Sequence, residues 1–564
     1  MTVSINPTVT IFLLADFTAD SLAALLENDP RFPPISVEQA PYDQVEPTLL
    51  SMINGTETDR ENVIVWTRAE TVSAFFAQLL GGDQVETDSI LGEVDKFADL
   101  IIKAAGHCQS LFIPLWILPS HLRGLGLMDF KRDQGVSASL LEMNNRLVGR
   151  ISRTGNIYPL NSPRWIQKVG ERSFSPKQWY LGKVAFSNEV FKEAILDIKA
   201  GLSALNGQSR KLLVVDLDDT LWGGVVGEVG WEGITLGGHD ALGEAYIDFQ
   251  RALKGLKKRG VLLAIASKND ESVALEALSK HTEMVLRPND FVAMRIDWND
   301  KAQNIADLVT ELNLGLQSTV FIDENPFERG RVRESLSEVL VPDWPENPML
   351  YVKALEELRC FDTTDLTEED IKRHSMYLSE RWREDTKVVK MSHDEWLETL
   401  QLKIIIEPLR ANQMKRIVQL INKTNQMNLR TRRMTAEELN EWCSVGNRHF
   451  WTFRVSDKFG DSGLTALLSL ENRGDIAEII DFVVSCRVFK RGVEETILAK
   501  AVVLCRSLGI RQVFSEYLPT KKNAPCLAFW KASGFDCQAD NRTFVFDTSK
   551  PYMFPGHIEV TEID

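Results

Sequence analysis

The chain lacks most of what a secreted, membrane-bound or nucleic-acid-binding protein needs. Its seven cysteines are scattered and odd in number, with no CxxC pair and no Cys/His metal spacing. That argues against a disulfide framework and fits a reducing cytosol, so a cytoplasmic location is expected. No run approaches the ~18 apolar residues of a membrane span. The longest candidate, "SLFIPLWIL" (110–118), reads as a buried strand, and no membrane partner is expected. The opening "MTVSINPTVTIFLLADF" has no basic region and only a short apolar run, so it reads as a core strand and not as a signal peptide. Positive charge is in deficit. The formal net charge is −16, which argues against broad nucleic-acid binding, since that needs a basic surface to release counterions. Internal repeats and low-complexity tracts are absent.

What remains is an ordinary globular composition. The 564 residues are 44% hydrophobic and 26% charged, enough for about three to four domains. Residues 1–205 alternate apolar strands ("VTIFLLA", 9–15; "NVIVWT", 62–67; "SLFIPLWIL") with helical patterns such as 92–105 and 136–150, which predicts a parallel α/β layer. The polar break "NGQSR" (206–210) marks a boundary. A second α/β unit, 206–364, has strands "LLVVDL" (212–217), "VLLAIA" (261–266) and "TVFID" (319–323), with helices between them at 242–259 and 271–280. "VPDWPENP" (341–348) closes it. Residues 365–564 begin with a charged helical stretch (365–397) that reads as a bridge. An α+β pattern follows, with strands at 449–457, 464–470, 477–485 and 512–518 and a helix at 493–508.

The chemistry sits in the middle unit. Asp216 alone could cap a turn. But in a parallel sheet, ligands bind outside the carboxyl ends of strands, and each later strand of this unit also ends in polar residues. "VLLAIASKND" ends at Ser267, "TVFIDENPFER" at Asp323-Glu324, and Lys301 opens a helix between them. The spacings of 51, 34 and 22 residues each leave room for about one crossover. Four polar groups then converge on one edge.

A phosphoryl group needs an in-line nucleophile and neutralisation of its oxygens. Asp216 can attack and form an aspartyl-phosphate. Asp218, two residues on, points the same way from an extended strand end and can serve as acid and then base. Asp216, Asp323 and the backbone carbonyl of Asp218 can hold Mg²⁺, a hard cation that prefers oxygen. Lys301 supplies fixed positive charge. Thr220 and Ser267 supply hydroxyl donors, and Asn269 in "SKND" is a further substrate-binding candidate.

"DLDDT", Ser267, Lys301 and "FIDENP" resemble, in order, the four motifs of the haloacid-dehalogenase-like (HAD) phosphohydrolases. With "DLDDTLWGGVVGE", "FIDENPFER", "NKTNQMNLRTRR" (422–433) and "SCRVFKRGVE" (485–494), the chain is similar to the FkbH-like subfamily. "FTADSL" and "APYDQV" (40–45) resemble the leading domain of its longer members, so the likeness covers nearly the whole chain. It implies a central Rossmann-like HAD sheet with minimal cap, flanked by an SGNH-hydrolase-like α/β domain and a GNAT-like α+β domain. It also implies the activity: 1,3-bisphosphoglycerate is dephosphorylated and its glyceryl unit loaded onto a phosphopantetheinylated acyl carrier protein, in polyketide-type biosynthesis.

Only 34 residues separate Ser267 from Lys301, too few for a large cap. The Gly-rich "WGGVVGEVGWEGITLGG" predicts a short hairpin flap. Family relatives can carry Cys at the positions of Leu217 and Val226, which this chain lacks. If a glyceryl–enzyme thioester forms, Cys486 is the candidate; its plain alternative is a buried strand residue. In the GNAT-like segment, Phe489-Lys490-Arg491-Gly492-Val493-Glu494 stands where that fold's loop reads Q/R-x-x-G-x-G/A and holds a coenzyme A pyrophosphate on helix-start N–H groups. A carboxylate there would repel pyrophosphate, so a carrier-borne pantetheine arm is the expected guest. Arg430, Arg432 and Arg433, joined by Lys490 and Arg491, form the expected carrier-docking face; a solvated charged face is the alternative. The N-terminal domain has no Gly-Asp-Ser block, and no esterase activity is expected of it. Two other functions stay open: a phosphatase on a free or carrier-bound phosphoester without acyl transfer, and a carrier-binding module with vestigial catalysis.

Overall fold

The computed structural model describes residues 8–55, 60–238, 240–385, 393–520 and 522–563. Contacts divide the chain into two compact units, residues 1–203 and 204–564. Each is described by itself.

The first unit is a five-stranded parallel sheet built from β1 (Val9–Ala15), β2 (Ile35–Gln39), β3 (Arg60–Trp66), β4 (Cys108–Pro114) and β5 (Ile157–Leu160). The order is β2-β1-β3-β4-β5. Residues 11–15 and 63–66 are buried without alternation, as expected of strands covered on both faces. The sequence order reverses between β1 and β3. There Asp16, at the end of β1, accepts the Arg68 amide at 2.8 Å, and burial pushes its carboxyl up to about 6.

The second unit holds two sheets. The smaller is parallel, with β6 (Leu212–Val215), β7 (Leu262–Ser267), β8 (Ala293–Ile296) and β9 (Thr319–Ile322) in the order β8-β7-β6-β9. Its inner strands β7 and β6 and the edge strand β9 are buried throughout. Their apolar runs stop at Asp216, Ser267 and Asp323, all on the same edge. β8 is the strand expected between Ser267 and Lys301; it is only four residues long and includes Arg295.

The larger sheet is mixed. Its strands are β10 (Leu402–Pro408), β11 (Met427–Asn428), β12 (Arg448–Asp457), β13 (Gly460–Asn472), β14 (Ile476–Val484), β15 (Gln512–Glu516), β16 (Asp536–Cys537), β17 (Thr543–Asp547) and β18 (Ile558–Glu562). They run β16-β17-β15-β14-β13-β12-β10-β18, with β11 beside β14. β14 and β15 pair only from Ile476 to Ile479. Beyond that point they part, and β11 pairs with Val483 and Val484. Leu429 continues the filling: its N–H donates to Phe482 O and its carbonyl accepts from Leu518 N, both at 3.1 Å.

The charged stretch 365–397 folds as the helix Glu368–Asp385 and the start of the helix His393–Leu400; residues 386–392 lie outside the described residues. The first helix touches both sheets' surroundings. Arg373 donates to Gly260 O at 2.6 Å, and the His374 ring meets Asp290 O at 2.8 Å, both in the parallel-sheet part. On the other side, Thr367 donates to Gln419 Oε1 at 3.2 Å, on the helix Met414–Lys423 of the mixed-sheet part. Gly207, in the polar break, closes the same seam. A Cβ there would lie 2.9 Å from Asn422 O, and its φ is +67°, so only glycine fits without strain.

Candidate active site

Asp216 is the first residue beyond β6, and its N–H still donates to Ile322 O at 3.1 Å. The neighbouring parallel strand therefore delivers Asp323 to the same edge. Lys301 comes from a third direction, at the start of the helix Lys301–Glu311. Its Nζ lies 2.9 Å from Asp216 Oδ2 and 2.6 Å from Asp323 Oδ2, and the lysine is only 3% exposed. Burial works against its charge, but the two carboxylates outweigh it and hold the ammonium above the usual lysine range.

After Asp216 the chain turns tightly, with Leu217 O accepting from Thr220 N at 3.1 Å and from Leu221 N at 2.7 Å. Asp219 takes a left-handed conformation, φ +51°, uncommon for a residue with a Cβ. Several contacts fix it. Tyr246 and Tyr351 donate their hydroxyls to its carbonyl at 3.3 and 3.0 Å, and its own Oδ1 accepts from Gly224 N at 2.7 Å.

Three carboxylates, those of Asp216, Asp323 and Glu324, each present an oxygen within 4.8 Å of the others. Asp216 Oδ1 is buried and has no hydrogen-bond partner. An orphaned buried carboxylate oxygen beside two further carboxylates fits a hard divalent cation. Burial, then the neighbouring charges, push the Glu324 carboxyl up to about 8 and Asp323 up to about 6. Glu324 was not among the expected ligands, although its place directly after Asp323 in "FIDEN" was the available signal.

The other expected site residues fall out as follows. Thr220 donates to Glu324 Oε2 at 2.7 Å and accepts from Glu324 N at 3.2 Å, so its hydroxyl links the two strand-end loops. Ser267 is buried at the tip of β7. The Asp218 carboxylate is not in the three-acid group. Its Oδ1 accepts from Trp222 Nε1 at 2.9 Å and Val226 N at 3.1 Å. Its Oδ2 accepts from Asn269 at 2.8 Å, so Asn269 serves Asp218. Burial raises the Asp218 carboxyl above its ordinary value.

The expected hairpin flap is not what forms. Gly223 and Thr235 exchange backbone bonds of 3.0 and 2.8 Å in an isolated bridge. Between them lies one helical turn, Val226–Val229, ended by Gly230 at φ +71°. Trp222, before that turn, and Val226, its first residue, are both buried.

In the mixed-sheet part, Cys486 opens the short turn Cys486–Val488; its side chain lies outside the described residues. Arg430, Arg432 and Arg433 of the expected basic face are half-buried and have partners within the chain. Arg430 pairs with Glu478 and lies 3.5 Å from Glu516, and Arg432 pairs with Asp481 at 2.6 Å. Arg433 donates to Ile421 O at 2.8 Å and Asn425 Oδ1 at 2.6 Å. Arg491 is buried and Lys490 exposed. The buried acids Glu478 and Asp481 lie on β14, far along the chain, and draw the guanidiniums inward. Glu494 is also buried, and its carboxylate accepts the Lys490 N–H at 3.0 Å. Burial pushes that carboxyl up to about 7.

The chain is similar to a solved phosphatase domain. The match is the N-terminal part of the protein BF1531 from Bacteroides fragilis, which contains a phosphatase domain and is complexed with Mg. It is 28% identical, covering 64% of this chain and 95% of that one, with a TM-score of 0.58. Two further matches are a phosphinothricin N-acetyltransferase by its assigned description (18% identity, 26% of this chain, 99% of that one, TM-score 0.21) and a GNAT-family acetyltransferase from Staphylococcus aureus (12%, 26%, 99%, 0.21). No protein-family model and no curated protein matches the chain. Among the described residues no helix is long and apolar enough to cross a membrane.

Proposed function

We propose that this chain is a Mg²⁺-dependent, HAD-type phosphoryl-transfer enzyme. More finely, we propose that it is an FkbH-like enzyme that takes 1,3-bisphosphoglycerate and loads a glyceryl unit onto the phosphopantetheine thiol of an acyl carrier protein. The single observation carrying the reading is the strand-end cluster, in which Asp216 keeps a buried, unbonded oxygen while Lys301 bridges it to Asp323. The likeness to a Mg-complexed phosphatase domain supports it.

The residues divide the work. Asp216 attacks the phosphorus of the C3 phosphate monoester through a carboxylate oxygen, and the bond from phosphorus to the C3 oxygen breaks. Separately, the carrier thiol attacks the C1 acyl carbon: the C–S bond forms as the acyl C–O bond breaks, inorganic phosphate leaves and the thiol proton passes to solvent. Asp218 gives the C3 oxygen its proton, then takes one from the water that cleaves the aspartyl-phosphate. Lys301 fixes the nucleophile and its charge faces the phosphoryl oxygens. Asp216, Asp323, Glu324 and the Asp218 backbone carbonyl would hold Mg²⁺, which neutralises phosphate charge when bound.

One observation favours a second reading. The arginines expected to receive a carrier are paired internally, which suits a phosphatase acting on a free phosphoester.

The deciding experiment incubates the protein with 1,3-bisphosphoglycerate, Mg²⁺ and holo carrier proteins from its own gene neighbourhood, followed by intact mass of each carrier. A glyceryl adduct is expected. Phosphate release without any adduct leaves the phosphatase. Retained phosphate release in Asp216→Asn removes the nucleophile assignment.

A further inference from the structure

Trp222 is fully buried, yet its one polar atom is not used for packing alone. A buried indole N–H needs a partner, and here the partner is Asp218 Oδ1 at 2.9 Å. The same oxygen accepts the Val226 amide at 3.1 Å. Both donors belong to the Gly-rich loop that follows the turn. The remaining oxygen accepts from Asn269 at 2.8 Å, and the orientation of that amide is set in turn by the Asp270 N–H on Asn269 Oδ1 at 2.9 Å.

Three donors therefore fix both oxygens of one carboxylate, and two of them move with the loop. The loop is anchored at its far side by the Gly223–Thr235 bridge. Trp222 is also tied to the turn itself by the bridge pairing Asp218 with Trp222. Packing alone would be met by any large apolar ring. The direction of the N–H is what an apolar ring could not supply.

We propose that Trp222 is a positioning residue for phosphoryl transfer: its indole N–H, together with the Val226 amide, orients the Asp218 carboxylate toward the leaving oxygen. The inference rests on the acid/base reading of Asp218 given above. It makes the Gly-rich loop part of the proton-transfer machinery, and not only a cover over the strand ends.

A misdirected acid matters most when the leaving group needs a proton. An alkyl phosphate needs one, whereas a nitrophenolate leaves without it. The experiment therefore compares kcat/KM for β-glycerophosphate with kcat/KM for p-nitrophenyl phosphate in the full-length, Mg²⁺-loaded protein. kcat/KM isolates the steps up to transfer onto Asp216. Trp222→Phe keeps the ring and removes the N–H. Val226→Pro removes the second donor at the first helical position, where proline is tolerated, and it stands in should the tryptophan variant fail to fold. Each is expected to lower the alkyl-to-aryl ratio by about 10-fold or more, within the ~100-fold range of a misplaced catalytic group. Asp218→Asn should lower it at least as far. A fall in Asp218→Asn with an unchanged ratio in both loop variants overturns the positioning role and leaves the acid/base reading standing. An unchanged ratio in Asp218→Asn removes that reading, and the inference with it.

Discussion

Lys301 Nζ meets Asp323 Oδ2 at 2.6 Å, with the lysine 3% exposed and the aspartate fully buried. The same ammonium reaches Asp216. One cation thus stands between two carboxylates that leave adjacent parallel strands.

Removing that cation should be costly. In Lys301→Met, two buried acids would face each other with no positive partner. Breaking a buried pair in this way costs about 3–5 kcal/mol. Chemical denaturation without divalent metal should show a loss of that order, and saturating Mg²⁺ should restore part of it. Turnover should fall at least ~100-fold. A stability unchanged without metal would mean that Lys301 does not hold the strand ends together.

Metal binding should release protons. Without metal, burial and mutual repulsion keep Glu324 protonated up to about 8 and Asp323 up to about 6. The folded state then holds protons that an unfolded carboxyl gives up near its ordinary value. Metal-free stability should therefore fall as pH rises from about 4 to 8. Mg²⁺ needs the ionised forms, so its affinity should rise across pH 6–8. Titration calorimetry in buffers of different ionisation enthalpy counts the protons. Glu324→Gln should flatten the upper part of that rise and weaken binding by about 10-fold. An affinity independent of pH in the parent protein would exclude Glu324 from the metal's surroundings.

Coenzyme A should not bind at the start of the helix Val493–Ser507. Glu494 is buried there, and its carboxylate already takes the Lys490 N–H. Acetyl-CoA at millimolar concentration should produce neither heat nor a shift in Tm. Glu494→Gln keeps an acceptor for that N–H and removes a buried charge. Burial raises Glu494 to about 7, so the folded parent loses stability as pH rises from the ordinary carboxyl value through 7. The variant should gain about 1–3 kcal/mol above pH 7 and nothing below about pH 4. Saturable coenzyme A binding by the parent would overturn this.

The parts legible in the sequence were those written locally. β6, β7 and β9, and β1 from Ile11 on, are buried runs followed by or ending in a polar residue, because a parallel strand covered on both faces has no solvent side. Asp216, Ser267 and Asp323 meet because their strands all leave the sheet at one edge, and Lys301 joins them from the start of the helix Lys301–Glu311. The parts not legible depend on partners distant in sequence. Nothing near Arg432 announces Asp481, and nothing near Thr220 announces Glu324. Trp222 and Val226 look like alternation until the turn at Asp219 fixes the direction in which the chain leaves. β11, only two residues long, exists because β14 and β15 part and leave an edge to fill. Short strands of this kind carry no period to read.

The helix Glu368–Asp385 bears on this chain in a different way. Hydrogen bonds from Arg373 and His374 fasten it to the parallel-sheet part, while Thr367 fastens its start to the mixed-sheet part. A segment fastened to both parts at its start acts as a ruler and not as a tether. On the proposed carrier reading, the group carried between the two sheets rides on an arm whose own reach sets its local concentration, and not on a flexible linker.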